Sequence, residues 1–186
     1  FMAISRDFLL PVVTDGDRCY KETQSKVFNL VQFLEVAIGN MNVKLDSGKY
    51  VYTSEMQAAL RDKQIALLHL MFENGDFGFF DTHLHYIHKD QAMYYAKVGN
   101  NEKAIEHLRH AAENALRFIK HMDKEPYTSL LFRNMPAGSF ATTGTNNDAA
   151  ELLNSMRQPV FDNIRDTEAF KSIRDELSAY AGKWDV

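Results

Sequence analysis

Apolar side chains recur along most of the chain at the three- and four-residue spacing of amphipathic α-helices. This spacing predicts a first helix over residues 20–45 and a second over residues 54–72. Thr53 or Ser54 is expected to start the second helix, and Ser54 and Gln57 have the spacing of a capping box. Gly75 follows its end, where glycine readily adopts the left-handed conformation that closes many helices. No segment alternates apolar and polar residues as a half-buried strand does.

Two further helices are joined by a very short turn. The third is predicted within residues 77–98 and the fourth over residues 102–121, with Gly99 and Asn100 between them. Asn100 is a suitable cap for the fourth helix. Because the connection is so short, the two helices are expected to pack antiparallel as a hairpin. The fourth helix has a stripe of small residues that allow close approach of another helix: Ala104, Ala111, Ala112 and Ala115.

The last third of the chain has a different pattern. Residues 133–148 are rich in Gly, Thr and Asn, which predicts an irregular connection. A short helix is predicted over residues 149–156, and Asp166 or Thr167 is expected to cap a final helix. The sequence therefore predicts one all-α domain, in which residues 126–186 form an irregular C-terminal extension packed on the preceding helices.

Composition and charge exclude several classes of protein. The 186 residues include 21 Lys+Arg and 25 Asp+Glu, a net charge of −4, with no basic run of the kind that neutralises nucleic-acid phosphates. A hydrophobic fraction of 45% favours a packed core over disorder. The single Cys19 cannot form an internal disulfide, so we expect a cytoplasmic protein. The apolar runs are far shorter than the ~20 residues of a membrane-spanning helix, so we expect no membrane partner.

The predicted hairpin has small and aromatic residues in a recognisable order. Ala92 and Tyr95 lie on its first helix, and Ala104, Leu108 and Ala111 lie on its second. This arrangement resembles a tetratricopeptide repeat (TPR). The resemblance implies a fold class of antiparallel helical hairpins stacked as a TPR-like, right-handed α-superhelix over residues 1–125.

A longer resemblance begins at residues 68–80, Leu-His-Leu-Met-Phe-Glu-Asn-Gly-Asp-Phe-Gly-Phe-Phe. This run is similar to a signature in the TPR-like C-terminal regions of bacterial XRE-type helix-turn-helix transcriptional regulators of the Firmicutes. Residues 101–108, 127–131 and 161–166 follow in a similar order. The resemblance implies an effector-sensing and self-associating region that reaches DNA only through a missing N-terminal helix-turn-helix. A chain that opens on Phe1 fits the expectation of a piece of a longer polypeptide.

The resemblance also implies where a ligand binds. In stacked hairpins, the first helix of each repeat lines a concave face that receives a partner. A tyrosine offers stacking area, a methionine adapts its shape, and two lysines can meet carboxylates or carbonyls of a peptide, protein or small-molecule effector. An ordinary solvated lysine face with a packed methionine is the open alternative. The candidate binding residues are Tyr86, Lys89, Met93 and Lys97.

The histidines are candidates for metal chemistry. His85 and His88 lie three residues apart on the third helix, as do His107 and His110 on the fourth. Facing pairs of imidazoles can ligate zinc at about 2.0 Å. However, the small residues of the fourth helix are expected to occupy the contact between the two helices and to push its histidines to the flank. His83 adds a fifth imidazole, but no His-Glu-x-x-His motif is present. We therefore predict no metal site, no cofactor and no catalytic residue.

Three hypotheses for function follow from these observations. The first is a regulatory, effector-binding domain that is not an enzyme, with a homodimer among its possible assemblies. The second is a free-standing TPR-like scaffold that bridges other proteins. The third and least favoured is a histidine-based metal enzyme.

Overall fold

The computed structural model describes residues 16–121, 125–137 and 147–181. Within these ranges the only strand-like pairing is an isolated bridge between Lys44 and Tyr50. Two single turns of 3-10 helix, Leu130–Phe132 and Pro159–Phe161, accompany six α-helices, so the predicted all-α class is confirmed for the described residues. The helices are α1 (Gly16–Asn40), α2 (Ser54–Met71), α3 (Phe80–Lys97), α4 (Asn101–His121), α5 (Asp148–Met156) and α6 (Glu168–Ala181).

Helices α3 and α4 form the antiparallel hairpin that the short turn predicts, and α4 packs along the length of α3. Gly99 adopts a φ of 78°, and the Asn100 side chain accepts a hydrogen bond from the backbone N–H of Lys103 at 3.1 Å. The side-chain contacts between the helices run in opposite chain directions: His88 to His107, His85 to Ala111, and Asp81 to Arg117.

The buried side chains form two clusters, and α3 contributes to both. The first cluster lies between α1, α2, the start of α3 and residues 125–137, and its rings are Phe28, Phe72, Phe77, Phe80, Tyr127 and Phe132. The second lies between the rest of α3, α4 and the C-terminal helices. It combines the predicted alanine stripe with larger side chains such as Leu108, Leu152, Phe161, Phe170 and Leu177. Helix α3 therefore connects two separately packed layers.

Residues 125–137 are held against α2 and α3 by two carboxylates. Asp76 accepts hydrogen bonds from the backbone N–H groups and the hydroxyls of Thr128 and Ser129. Glu73 accepts one from the backbone N–H of Leu130. Hydrogen bonds to a carboxylate are stronger than those between neutral groups, so this loop is firmly attached.

The first helix differs from the prediction. It ends at Asn40 rather than near residue 45, and residues 41–51 form a turn in which Val51 N–H donates to Val43 O at 2.9 Å. The predicted apolar stripe is also only partly buried. Val31 is buried, whereas Leu30 and Leu34 are each 47% exposed. The stripe is wider than the contact with α2, so a large part of it faces solvent.

The caps of the other helices agree with the prediction in part. Asn147 caps α5, accepting from the backbone N–H groups of the next turn, and Thr167 rather than Asp166 caps α6. The predicted irregular connection lies largely outside the described residues, since only its two ends belong to them. None of the described helices combines the length and apolar character that crossing a membrane requires.

Of the two predicted start residues of α2, Thr53 rather than Ser54 caps the helix, and the capping box of Ser54 and Gln57 does not form. Thr53 is the N-cap of α2, because its hydroxyl accepts a hydrogen bond from the backbone N–H of Met56 at 3.2 Å. Gln57 does not complete a box: its side chain donates to the backbone oxygen of Tyr52 at 3.0 Å.

We predict that Thr53→Ala lowers the free energy of unfolding by about 1 kcal/mol, because it removes the acceptor for an end N–H of α2. Ser54→Ala is the matched control and should change stability by no more than about 0.5 kcal/mol. Urea denaturation of the two variants measures both values. A larger loss of stability in Ser54→Ala than in Thr53→Ala would show that Ser54, and not Thr53, caps α2.

Candidate functional site

The four residues predicted to bind a ligand lie on the side of α3 that approaches α5. Tyr86 is 38% exposed and Lys97 is exposed. The Lys89 side chain is less exposed to solvent, because its Nζ lies 2.8 Å from Glu151 Oε1 and 4.5 Å from the centre of the Tyr86 ring. Met93 packs against the second core cluster. The C-terminal helices therefore cover part of the predicted face, and its role in binding stays a prediction.

A buried ion cluster connects α3 to α5 beneath this face. His85 is fully buried, with Nδ1 3.2 Å from Ala111 O and Nε2 3.0 Å from Glu151 Oε2. Burial opposes ionisation of Glu151, but hydrogen bonds from His85 and Lys89 outweigh it and lower the Glu151 pKa to about 2. The Glu151 carboxylate therefore accepts from the Lys89 ammonium on one oxygen and contacts the His85 ring on the other.

A cleft of about 640 Å³ opens on another side of α3, between α2 and α4. Its lining mixes imidazoles, an amide and charged groups with a few apolar side chains, and we call it the histidine cleft. Helix α2 contributes Asp62, Ile65, Ala66 and His69; α3 contributes His88; and α4 contributes Glu106, His107, His110, Glu113, Asn114 and Arg117, with Gly75 and Phe77 at one end.

Three imidazoles meet in this cleft. The Nδ1 atoms of His88 and His107 are 2.9 Å apart, and the ring of His110 lies 5.1 Å from that of His88. The two Nδ1 atoms share one hydrogen, because one of them must accept what the other donates. Tyr95 stacks on His107 with an interplanar angle of 7°, which fixes the orientation of that ring.

Burial keeps three imidazoles of the cleft, those of His69, His88 and His107, neutral near pH 7. Burial, followed by the neighbouring His107, lowers the pKa of His88 to about 3. Burial also lowers the pKa values of His107 and His69. A neutral imidazole offers one hydrogen-bond donor and one acceptor, so the cleft presents both kinds of group without a fixed positive charge on these rings.

Arg117 closes one end of the cleft and is held in place by several contacts. Its Nε donates to Asp81 Oδ1 at 3.0 Å, and its guanidinium lies 5.2 Å from the centre of the Phe77 ring. Burial raises the pKa of Asp81 to about 7, although the Arg117 charge acts in the opposite direction. The guanidinium therefore reaches the cleft from a fixed position, which is typical of groups that orient a ligand.

The five histidines considered for zinc do not converge on one point. His83 Nδ1 lies 2.8 Å from Glu35 Oε2, and His85 belongs to the ion cluster with Glu151. Of the predicted pairs, only His88 and His107 meet directly. In residues 16–121, 125–137 and 147–181, no group of three or more His, Cys, Asp or Glu side chains is placed to hold a metal ion.

A second, smaller cleft of about 250 Å³ lies between α1, α2 and α3. Tyr86 lines it together with Arg61 and Asp90, whose side chains are paired at 3.3 Å. Tyr86, one of the four residues predicted to bind a ligand, therefore lines this second cleft.

Comparison of the chain with protein-family models, with curated proteins and with solved structures finds no match. The resemblance to TPR-like regions of XRE-type regulators therefore stays a prediction, which rests on the sequence segments quoted above.

Sequence reasoning missed the cleft residues other than the histidines. Four polar residues of α4 recur at spacings of three, four and three residues, which places them on one face next to the alanine stripe. This second stripe was a usable signal for a polar site: His107, His110, Asn114 and Arg117. The contribution of α2 had no such signal, because it depends on how the two hairpins pack.

Proposed function

We propose that this chain is the effector-binding region of a bacterial XRE-type transcription regulator, with its hairpins stacked as a TPR-like superhelix. The histidine cleft is the observation that carries the proposal. It is open to solvent, it lies between two hairpins, and its polar groups converge on one space. Convergent polar groups in a concave site are the usual signature of ligand binding.

The chemistry of the cleft favours an effector with both hydrogen-bond donors and acceptors, such as a peptide or an amide-containing small molecule. His88 and His107 supply neutral donors and acceptors, and Phe77 supplies an aromatic surface at one end. Asp62 and Glu106 add negative charge, and Arg117 adds a positive charge at the other side of the space. Binding rather than catalysis is the activity we propose for these groups.

The two core clusters suggest how binding is transmitted. Helix α2 belongs to the first cluster and α4 to the second, whereas α3 belongs to both. A ligand that bridges α2 and α4 favours one relative arrangement of the two layers, and so shifts the population between arrangements. In a regulator, this shift changes how a linked DNA-binding dimer sits on its operator.

A thermal-shift screen of short peptides and metabolites tests the proposal. A ligand present at 100 times its Kd stabilises the chain by about 2.7 kcal/mol, which raises the Tm of a domain of this size by roughly 5–10 °C. We expect at least one compound to stabilise the wild-type chain in this way and to have little effect on His107→Ala. Lys171→Ala, on the distant α6, is the matched control and should respond like the wild type.

Two results would contradict the proposed function. One is that every stabilising compound acts equally on the wild type and on His107→Ala, which would place binding outside the cleft. The other is a salt-sensitive, sequence-specific DNA complex of this chain alone, which would assign it DNA binding of its own.

A free-standing scaffold is the second candidate, and the exposed apolar side chains of α1 favour it. The full open reading frame separates the two candidates. A helix-turn-helix there supports the regulator, and its absence supports the scaffold.

A further inference from the structure

The two long walls of the histidine cleft are helices that run in the same direction. Arg61 of α2 pairs with Asp90, near the end of α3. His69, later in α2, has its ring 4.9 Å from that of Phe77, just before α3 begins. Helix α2 is therefore antiparallel to α3, as α4 is, so α2 and α4 are parallel to each other. Their early residues meet at one end of the cleft and their later residues at the other.

Two carboxylates line the first end of the cleft, Asp62 from α2 and Glu106 from α4. Burial lowers the pKa of His107, and the two carboxylates act in the opposite direction, Glu106 more strongly than Asp62. Asp62 is also held in place, because the buried amide of Gln91 donates a hydrogen bond to its Oδ1 at 2.6 Å. A positive group placed beside His107 therefore meets negative charge from both walls.

The other end of the cleft carries the guanidinium of Arg117. Arg117 follows Glu106 by 11 positions, close to three turns of α4, so the two residues lie on one face of the helix, roughly 16 Å apart along its axis. Asp81 pairs with Arg117, but burial raises the pKa of Asp81 to about 7, so near neutral pH this carboxyl is ionised only in part. After burial, the Arg117 charge is the next cause that lowers the pKa of His69. The cleft is therefore negative at one end and positive at the other.

Between these ends, the lining of the cleft is mostly apolar or aromatic. Ile65 and Ala66 contribute apolar surface from α2. The rings of His88 and His110, with their centres 5.1 Å apart, lie on the side formed by α3 and α4. Glu113 also belongs to this side, but its side chain is 54% exposed and its Oε2 lies 3.2 Å from His110 Nδ1. A molecule that lies along the cleft thus meets apolar and ring surfaces between its two ends.

We propose that the histidine cleft binds a linear zwitterion, whose amino group lies between Asp62 and Glu106 and whose carboxylate lies at Arg117. Its middle section is uncharged and packs along Ile65 and Ala66. Each end of the molecule then meets charge of the opposite sign, whereas the reversed orientation brings like charges together at both ends. The zwitterion rests on the proposed function, to which it adds the charge, the length and the orientation of the effector.

Two kinds of molecule have this chemistry, and one probe represents each. Aminoundecanoic acid carries the two charged ends on an alkyl chain. Pentaalanine carries them on a peptide backbone, which spans roughly 16–18 Å when extended. Undecanedioic acid and diaminoundecane are the controls for the first probe, because both of their ends carry the same charge. Pentaalanine that is acetylated at its N-terminus and amidated at its C-terminus is the uncharged control for the second.

Isothermal titration calorimetry of the full chain with these compounds tests the proposal. We expect at least one zwitterion to bind at least about 10-fold more tightly than its controls. Binding of both zwitterions would show that the end charges suffice for recognition. Binding of pentaalanine alone would show that the cleft also recognises backbone amides, and binding of aminoundecanoic acid alone would show that it selects an apolar middle section.

A double variant, Asp62→Asn with Glu106→Gln, removes the negative end of the cleft. Asparagine keeps the oxygen that accepts from Gln91, so the packing of α2 on α3 is retained. This variant should bind the zwitterion at least about 10-fold more weakly and should no longer favour it over the control with two carboxylates or the uncharged control. Asp175→Asn with Glu176→Gln makes the same change of charge on α6, outside the cleft, and should bind like the wild type.

Three results would overturn the proposal: neither zwitterion binds at about 10 mM, the controls bind as tightly as the zwitterions, or the cleft double variant keeps the preference of the wild type. These results leave the proposed function intact if a compound from the thermal-shift screen still loses its effect in His107→Ala. The proposed function fails only by its own test, in which every stabilising compound acts equally on the wild type and on His107→Ala.

Discussion

Replacing Gly78 by alanine is expected to lower the free energy of unfolding by about 4 kcal/mol. Gly78 has a φ of 55°, and a Cβ added there would lie 2.5 Å from Tyr127 Oη and 2.9 Å from two ring carbons. The left-handed conformation accounts for about 1–2 kcal/mol of the loss. The rest comes from displacing the ring of Tyr127, which is 3% exposed within the first core cluster.

Gly75→Ala is the matched control for this substitution. Gly75 has a similar φ of 71°, but a Cβ there meets nothing within 4 Å. The free energy of unfolding of this variant should therefore fall only by the cost of the left-handed conformation, about 1 kcal/mol. Urea denaturation of both variants gives the comparison. Equal losses would show that Tyr127 does not pack against Gly78 in solution as the structure describes.

Replacing Glu151 by alanine is expected to lower the free energy of unfolding by about 3 kcal/mol near neutral pH. The change leaves the buried His85 ring and the Lys89 ammonium, which bind Glu151 Oε2 at 3.0 Å and Oε1 at 2.8 Å, without their shared carboxylate. Removing one partner of a buried ion pair is costly because the remaining charge stays desolvated. Glu168→Ala is the control, since that side chain is 93% exposed, and it should cost no more than about 0.5 kcal/mol.

The loss in Glu151→Ala should also depend on pH. The folded-state pKa of Glu151, about 2, lies below its ordinary value of 4.5, so ionised Glu151 stabilises the folded chain. This contribution is fully present above about pH 4.5 and disappears as the pH falls through about 2. After allowance for the one-third exposure of the side chain, it amounts to roughly 2 kcal/mol. A difference between wild type and variant that does not shrink below about pH 4.5 would contradict this assignment.

The α3–α4 hairpin could be predicted from the sequence because its determinants are local. A turn of two residues, Gly99 and Asn100, fixes the antiparallel arrangement, and the alanine spacing on α4 identifies the face that packs. The same spacing correctly places His107 and His110 on the flank of the hairpin. The all-α class follows equally from local periodicity.

The covering of α3 by the C-terminal helices could not be predicted in this way. Lys89 and Glu151 are separated by 62 positions, so no spacing rule connects them. How much of the apolar stripe of α1 is buried could not be predicted either. Periodicity shows which side chains share a face but not how much of that face a neighbouring helix covers. The histidine cleft could be predicted only in part. The spacing of polar residues on α4 indicates one wall of the cleft, whereas Asp62 and His69 line the other wall because of how α2 packs against the hairpin.

An NMR titration locates the effector on the chain and so tests whether it binds in the histidine cleft. The isotope-labelled chain is titrated with the compound that stabilises it most in the thermal-shift screen, and chemical-shift changes are followed residue by residue. We expect the largest changes at Asp62, His107 and Asn114, which line the cleft from both sides. Changes confined to the α3 face of Tyr86 and Lys97, with the cleft residues unaffected, would show that the effector does not bind in the cleft.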